Sequence, residues 1–318
     1  MEIYIPKLWF ISLSVLAAAA IFVALILLYY WVSRRKNKYS PFTEDSLRLP
    51  GHTVRLNQLN ISDEILMLYF QFIIAFVSIP YFFLFLKGSL RFVLPVIVVV
   101  YVFFLARKVW SHIGSMHNYA LGRKGEEYTG QELNLLMRSG AFVFHDIPYK
   151  YGNIDHIVVG RNAVFAVETK AVRKPQSQNS NSKEFVVEFD GKTLKFPNNK
   201  TTDKPVKQAL RHAEFLSEII GKKCKVKFPV IAVVALPGWK VHINAKFQDV
   251  LVINPKRGKA LRSWLGELHD KESRDRVTAY IASVARSVDY FSNKTDPDAS
   301  DNYDFWLNPR VQEKALGD

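Results

Sequence analysis

Two acidic side chains and one lysine lie where a hydrolytic site could form. A strand is predicted over residues 164–171, rich in β-branched and apolar side chains. Side chains alternate along a strand, so Glu168 and Lys170 share one side, following Val164 and Ala166. That side leaves the core and presents a carboxylate beside an ammonium. Asp155 begins the preceding predicted strand, 154–159, and Gly160, Arg161 and Asn162 make the short turn between the two. A hairpin centred there sets Asp155 opposite residues 168–170. Two hard carboxylates in reach of one ion suit Mg²⁺ or Mn²⁺, with waters and a substrate phosphate completing the shell. Lys170 can orient or help deprotonate an attacking water and offset charge on the pentavalent phosphorus. The expected chemistry is metal-assisted hydrolysis of a phosphodiester.

Taken singly, each piece has a plainer explanation. A Glu-x-Lys on a strand is commonly a solvated edge, and Ile154-Asp155-His156 a strand start. The pair Glu126-Glu127 in a first helical turn is charge that complements the helix dipole. The conjunction carries the weight: GxxGE at Gly122, Gly125 and Glu126, then Asp155, then Glu168 and Lys170, then PxxQ at Pro205 and Gln208. His145 and His156 each adjoin an aspartate, but their spacing fits no metal finger, and His156 reads as structural or as a support to the site. The single Cys224 can form no intramolecular disulfide and has no obvious base partner. No GxxxxGK(S/T) loop is present, so no nucleotide-driven motor is expected.

These residues need elements to hold them. A helix is predicted over 121–138, with GxxGE opening it and Ser139-Gly140 ending it. Strands follow at 141–147, 154–159 and 164–171. A further hairpin, 185–189 with 193–196, turns on Asp190-Gly191. A helix spans 205–220, with Pro205 in its first turn and Gly221 just past its end. The near-continuous apolar run 228–236 reads as a strand buried on both faces. A short strand at 250–253 and helices at 258–268 and 274–290 complete an α/β layer fold with a mixed sheet.

The front of the chain is different. Residues 8–32 carry no charge and are long enough to span about 30 Å of hydrocarbon. Tyr29, Tyr30 and Trp31 close that run as an interfacial belt would, and Arg34, Arg35, Lys36 and Lys38 follow. Residues 66–86 and 92–106 are two further uncharged runs. Three spans with the N-terminus outside put 33–65 and everything after 106 in the cytoplasm, by the distribution of Lys and Arg. A bacterial inner membrane suits this arrangement. Of the net charge of +14, only +4 lies in residues 1–106. The tail from 296 is acidic, so the excess sits in 107–295. A dense basic series includes Arg173, Lys174, Lys183, Lys192, Lys195, Lys200, Lys204, Lys207 and Arg211. Such a surface attracts phosphate backbones without reading sequence, and anionic lipid as well.

The ordered motifs resemble the nuclease-related domain (NERD), a family placed in the PD-(D/E)xK nuclease superfamily. The resemblance covers about residues 122–236. It implies a restriction-endonuclease-like α/β fold, a central mixed sheet flanked by helices, behind an α-helical transmembrane region. By that resemblance Asp155 and Glu168 bind the catalytic metal, and Glu126 adds to metal or water binding. Lys170 handles the water or transition state, and Gln208 is the helix glutamine that helps hold the site. The sequence departs from the family in having Asn162-Ala163 where Asn-Gly is usual, and in lacking a Trp between Lys170 and Pro205. The expected organisation is a membrane region at 1–106 with about three transmembrane helices, a nuclease domain at 107–255, C-terminal helices at 256–295 and a mobile tail at 296–318. The function expected is a membrane-anchored, Mg²⁺- or Mn²⁺-dependent nuclease acting on DNA at the cytoplasmic face. The alternative is a non-catalytic module that tethers nucleic acid or a partner at the lipid bilayer. A third reading is a membrane scaffold.

Overall fold

The structure is a computed structural model that describes residues 24, 26–28, 31–32, 46–85, 87–149, 152–174, 185–197, 200–245, 249–257, 261 and 270–286. The chain divides into two units, Met1–Ser46 with Ser287–Asp318, and Leu47–Arg286. In the first unit Ala24, Ile26, Leu27, Leu28, Trp31 and Val32 are helical. Most of the apolar run 8–32, the tail from 296 and most of the helix expected at 258–268 lie outside the described residues.

The second unit begins with two long helices, α1 (His52–Phe85) and α2 (Leu90–Asn134). They pack on each other across a tight turn at Gly88, whose φ of +68° suits a residue without a Cβ. The Tyr101 hydroxyl reaches Gln71 Oε1 at 3.2 Å between them. Each is long and apolar enough to cross a membrane, by length and composition. Phe70, Phe72, Ile74, Phe76, Val96 and Phe103 stand exposed on them.

The sequence reading placed an apolar run at 92–106 and a separate helix from 121. The structure joins them. No proline lies in residues 107–120, Ser115 turns its hydroxyl back to the Ser111 carbonyl within the helix, and Gly114 alone does not stop a helix. At about 1.5 Å per residue, α2 extends over roughly 65 Å, more than twice a hydrocarbon core. Its charged second half, from Arg107, therefore projects into the α/β domain. GxxGE lies inside α2 instead of opening a helix.

A short 3₁₀ turn (Leu135–Ser139) ends on Gly140, which is left-handed at φ 83°, and leads into the sheet. Strands β1 (Phe142–Tyr149), β2 (Gly152–Val159) and β3 (Val164–Thr169) form an antiparallel meander. β7 (Val230–Ala235) pairs parallel with β3, and β9 (Val250–Ile253) parallel with β7. The five-stranded order is β1-β2-β3-β7-β9, a mixed sheet as the sequence implied. A second sheet holds the Asp190-Gly191 hairpin of β4 (Val186–Phe189) and β5 (Leu194–Lys195) between two edge strands. β6 (Thr201–Thr202) and β8 (Lys240–Ile243) join it; the sequence reading anticipated neither.

Helix α3 (Lys204–Lys223) packs on β3 and β7 with its buried stripe of Val206, Ala209, Ala213, Leu216 and Ile220. It runs through Gly221, ending where the Cys224 N–H reaches the Ile220 carbonyl. The core joins Leu133 and Leu136, at the end of α2 and in the 3₁₀ turn, to Val158, Phe165, Val167, Val233 and Ala235. Helix α4 (Lys271–Val284) packs beside β1 and β2. Arg48 N–H donates to the Ala285 carbonyl just past its end.

Candidate active site

The hairpin register brings the first two acids together. His156 pairs with Val167, so Asp155 comes opposite Glu168, as a turn centred near residue 161 requires. The Thr169 N–H donates to Asp155 Oδ2 at 2.7 Å and locks the aspartate against the end of β3. Glu168 is buried on the side of β3 that faces α3, whereas Lys170 emerges exposed one residue past the strand.

Glu126 arrives from α2. The helix can approach because residue 125 is glycine: a Cβ there would stand 2.6 Å from the Ala171 Cβ and 3.7 Å from Pro237 Cγ. This contact is the physical content of the second glycine in GxxGE. Gly122 meets nothing within 4 Å. Gly130, one turn beyond Glu126, plays a similar part against Pro50, whose Cγ would be 2.5 Å from an added Cβ.

Three buried carboxylates thus share one end of the sheet, and their protonation reflects it. Burial pushes Glu126 up to about 9, helped by the charges of Asp155 and Asp146. Burial also lifts Asp155 to about 7, against the Thr169 N–H and the Lys170 ammonium, which favour its charged form. Glu168 is held well above the ordinary range by burial and by Asp155, with Lys170, and more weakly Arg211, opposing. Glu126 Oε2 and Glu168 Oε2 are both buried without a hydrogen-bond partner.

These features fit a hard divalent cation. A cation supplies the positive charge that clustered, desolvated carboxylates lack, and it would engage the orphaned Glu126 Oε2. Among the described residues, no three His, Cys, Asp or Glu side chains are gathered closely enough to hold an ion by themselves.

Gln208 sits half-buried near the start of α3, and among the described residues it donates to none of the three acids. Lys170 acts on Asp155 and Glu168 through its charge. The described members of the basic series, Arg173, Lys174, Lys192, Lys195, Lys200, Lys204, Lys207 and Arg211, are all exposed.

The sequence marked His156 as structural or as a support to the site, but it did not show the partners that hold the site. His145 and His156 face each other on β1 and β2 with Nδ1 atoms 2.9 Å apart, and His145 Nε2 lies 3.2 Å from Asn134 Oδ1. An amide oxygen only accepts, so His145 carries its hydrogen on Nε2, and His156 must donate from Nδ1. Burial holds both imidazoles neutral. The pair therefore ties the end of α2 to the strand that bears Asp155. Asp146, fully buried at φ 53°, accepts from Arg48, Thr53 and Asn153 and fastens the start of α1 to β1. Trp239 is buried between Phe185 and Phe196 and donates to the Val172 carbonyl at 3.2 Å. It lies on the connection between β7 and β8, outside the segment between Lys170 and Pro205. Only the adjacency of each histidine to an aspartate hinted at any of these.

Residues 121–237 match the family model of the nuclease-related domain, NERD. The match covers a little over a third of the chain and contains Glu126, Asp155, Glu168, Lys170 and Gln208. No curated protein matches the chain, and no solved structure does. Residues 121–237 thus match a nuclease-related domain, and two helices of membrane-spanning length begin ahead of that stretch.

Proposed function

We propose that this protein is a membrane-anchored nuclease that hydrolyses phosphodiester bonds in DNA on the cytoplasmic side, with Mg²⁺ or Mn²⁺ as cofactor. The observation that carries the reading is the hairpin register that sets Asp155 opposite Glu168, next to Lys170, with Glu126 Oε2 and Glu168 Oε2 buried and unpartnered. Asp155 and Glu168 would hold the cation, with Glu126 contributing directly or through a water. The bound cation would supply Lewis-acid stabilisation of the phosphoryl oxygens and a more acidic water.

The chain's own groups have separable roles. The Thr169 N–H fixes the Asp155 carboxylate, so one oxygen is committed and the other stays available. Lys170, exposed beside the buried acids, orients the attacking water and offsets charge developing on phosphorus. The exposed lysines and arginines around α3 and the second sheet attract the phosphate backbone and leave sequence unread. The exposed apolar faces of α1 and α2 enter the bilayer, with Lys and Arg after residue 106 kept in the cytoplasm. A bacterial inner membrane is the setting this orientation suits.

The experiment is cleavage of DNA by the purified full chain with Mg²⁺ or Mn²⁺. Glu168→Ala and Lys170→Ala should abolish cutting and leave salt-sensitive binding. One observation favours a second reading, a non-catalytic nucleic-acid-binding module: the described acids and histidines include no preassembled three-ligand set. That reading predicts metal-independent binding with no cleavage on any substrate.

A further inference from the structure

A fully buried imidazole faces the candidate site from α3. His212 follows Gln208 by four residues, so the two share a helix face. Its Nε2 lies 3.1 Å from the Tyr149 hydroxyl, and the two rings meet edge to face at 4.9 Å. Its Nδ1 stands 3.5 Å from Glu168 Oε2, and each of these two atoms is buried without a hydrogen-bond partner. At that separation the pair is aimed but not engaged; closing by roughly half an ångström makes an ordinary N–H···O bond.

We propose that His212 is a positioning residue for Glu168: it accepts the Tyr149 hydroxyl on Nε2, donates from Nδ1 to Glu168 Oε2, and so fixes which carboxylate oxygen faces the cation. The inference rests on Glu168 being a metal ligand. An ionised carboxylate only accepts, so a neutral imidazole beside it must carry its single hydrogen on Nδ1. Nε2 is then the acceptor, and the tyrosine hydroxyl must donate. Burial, with the neighbouring Arg211 charge, keeps His212 neutral and fits that assignment. The chain runs from β1 through α3 to β3, three elements already locked by the main sheet and by the packing of α3 upon it. Carboxylates that bind metals are usually held this way, and losing the outer partner weakens metal binding about ten- to a hundredfold.

The test uses the full chain in detergent micelles. Mn²⁺ affinity is read by electron paramagnetic resonance, alongside the melting temperature, for the parent, His212→Asn, His212→Gln and Glu168→Gln. The asparagine amide nitrogen takes the place of Nδ1 and keeps a donor toward Glu168. The glutamine amide reaches the Nε2 position, keeps the tyrosine and leaves Glu168 without its donor. His212→Gln should weaken Mn²⁺ binding at least about tenfold and His212→Asn by no more than about threefold, with both melting temperatures lowered alike. Parent-like affinity in His212→Gln, or equal losses in the two variants, overturns the proposal. A parent that binds no Mn²⁺, or Glu168→Gln binding it as well as the parent, overturns the metal reading beneath it.

Discussion

The two glycines of GxxGE offer a matched pair of perturbations within one helix. Gly122→Ala adds a methyl group that meets nothing within 4 Å, so it should stabilise the fold by about 0.5–1 kcal/mol through helix propensity alone. Gly125→Ala gains the same propensity but places its Cβ 2.6 Å from the Ala171 Cβ. Ordinary carbon contacts lie near 3.5–4.0 Å, so α2 must withdraw by about 1 Å or Ala171 must yield. Overpacking of that kind costs about 1–3 kcal/mol. The propensity gain cancels between the variants, and the difference in their unfolding free energies isolates the clash at about 1–3 kcal/mol. Glu126 is the next residue, so the displacement should also move its carboxylate by about 1 Å and slow cleavage by on the order of 100-fold. Denaturant melts of the full chain in micelles and single-turnover DNA cleavage measure the two effects. If Gly125→Ala is as stable and as active as Gly122→Ala, the close approach of α2 to the end of β3 is not what positions Glu126.

Three other outcomes follow from the same geometry. Asp146→Ala should destabilise the fold by about 3–5 kcal/mol, because Arg48 then loses its buried partner and the start of α1 its anchor; thermal melts against the parent check this. Without metal, stability should fall as pH rises from about 6.5 to 9. Glu126 and Asp155 have folded values raised by burial to about 9 and 7, so their contribution is complete below the unfolded range near 4 and disappears as pH passes those values. Below about 6.5 the neutral buried His145 and His212, both lowered to about 4, act in the opposite sense, so the slope is read above it; saturating Mg²⁺ should flatten that slope. Trp239→Phe should cost about 1 kcal/mol for the lost bond to the Val172 carbonyl, a small shift in the denaturant midpoint.

The sequence made the hairpin and its acids legible because two strands and a short turn leave one register consistent with both apolar patterns. The observed pairing of His156 with Val167 is the register that the turn at 160–162 demands. The parallel strands β7 and β9 were likewise legible as short, apolar, β-branched runs. The continuity of α2 was not, since the polar stretch from Arg107 breaks the hydrophobic pattern without breaking the backbone. Edge strands such as β6 and β8 hold too few residues to show a period of two. His212 escaped because a lone histidine on the apolar face of a helix looks like core, and only the tertiary placement of Tyr149 and Glu168 on its two nitrogens distinguishes it. The motif glycines pointed to a special backbone requirement. The structure divides them into one that fills a contact and one that faces open space.

A hydrolytic site formed by Asp155 and Glu168 next to Lys170 must make cutting depend on those acids. The most direct measurement is DNA cleavage by the purified full chain with and without Mg²⁺ or Mn²⁺, set against Glu168→Ala at equal DNA binding. The parent should cut only with metal, and the variant should not cut while binding persists. Equal cutting by both proteins, or none by the parent across metals and DNA forms, would contradict it.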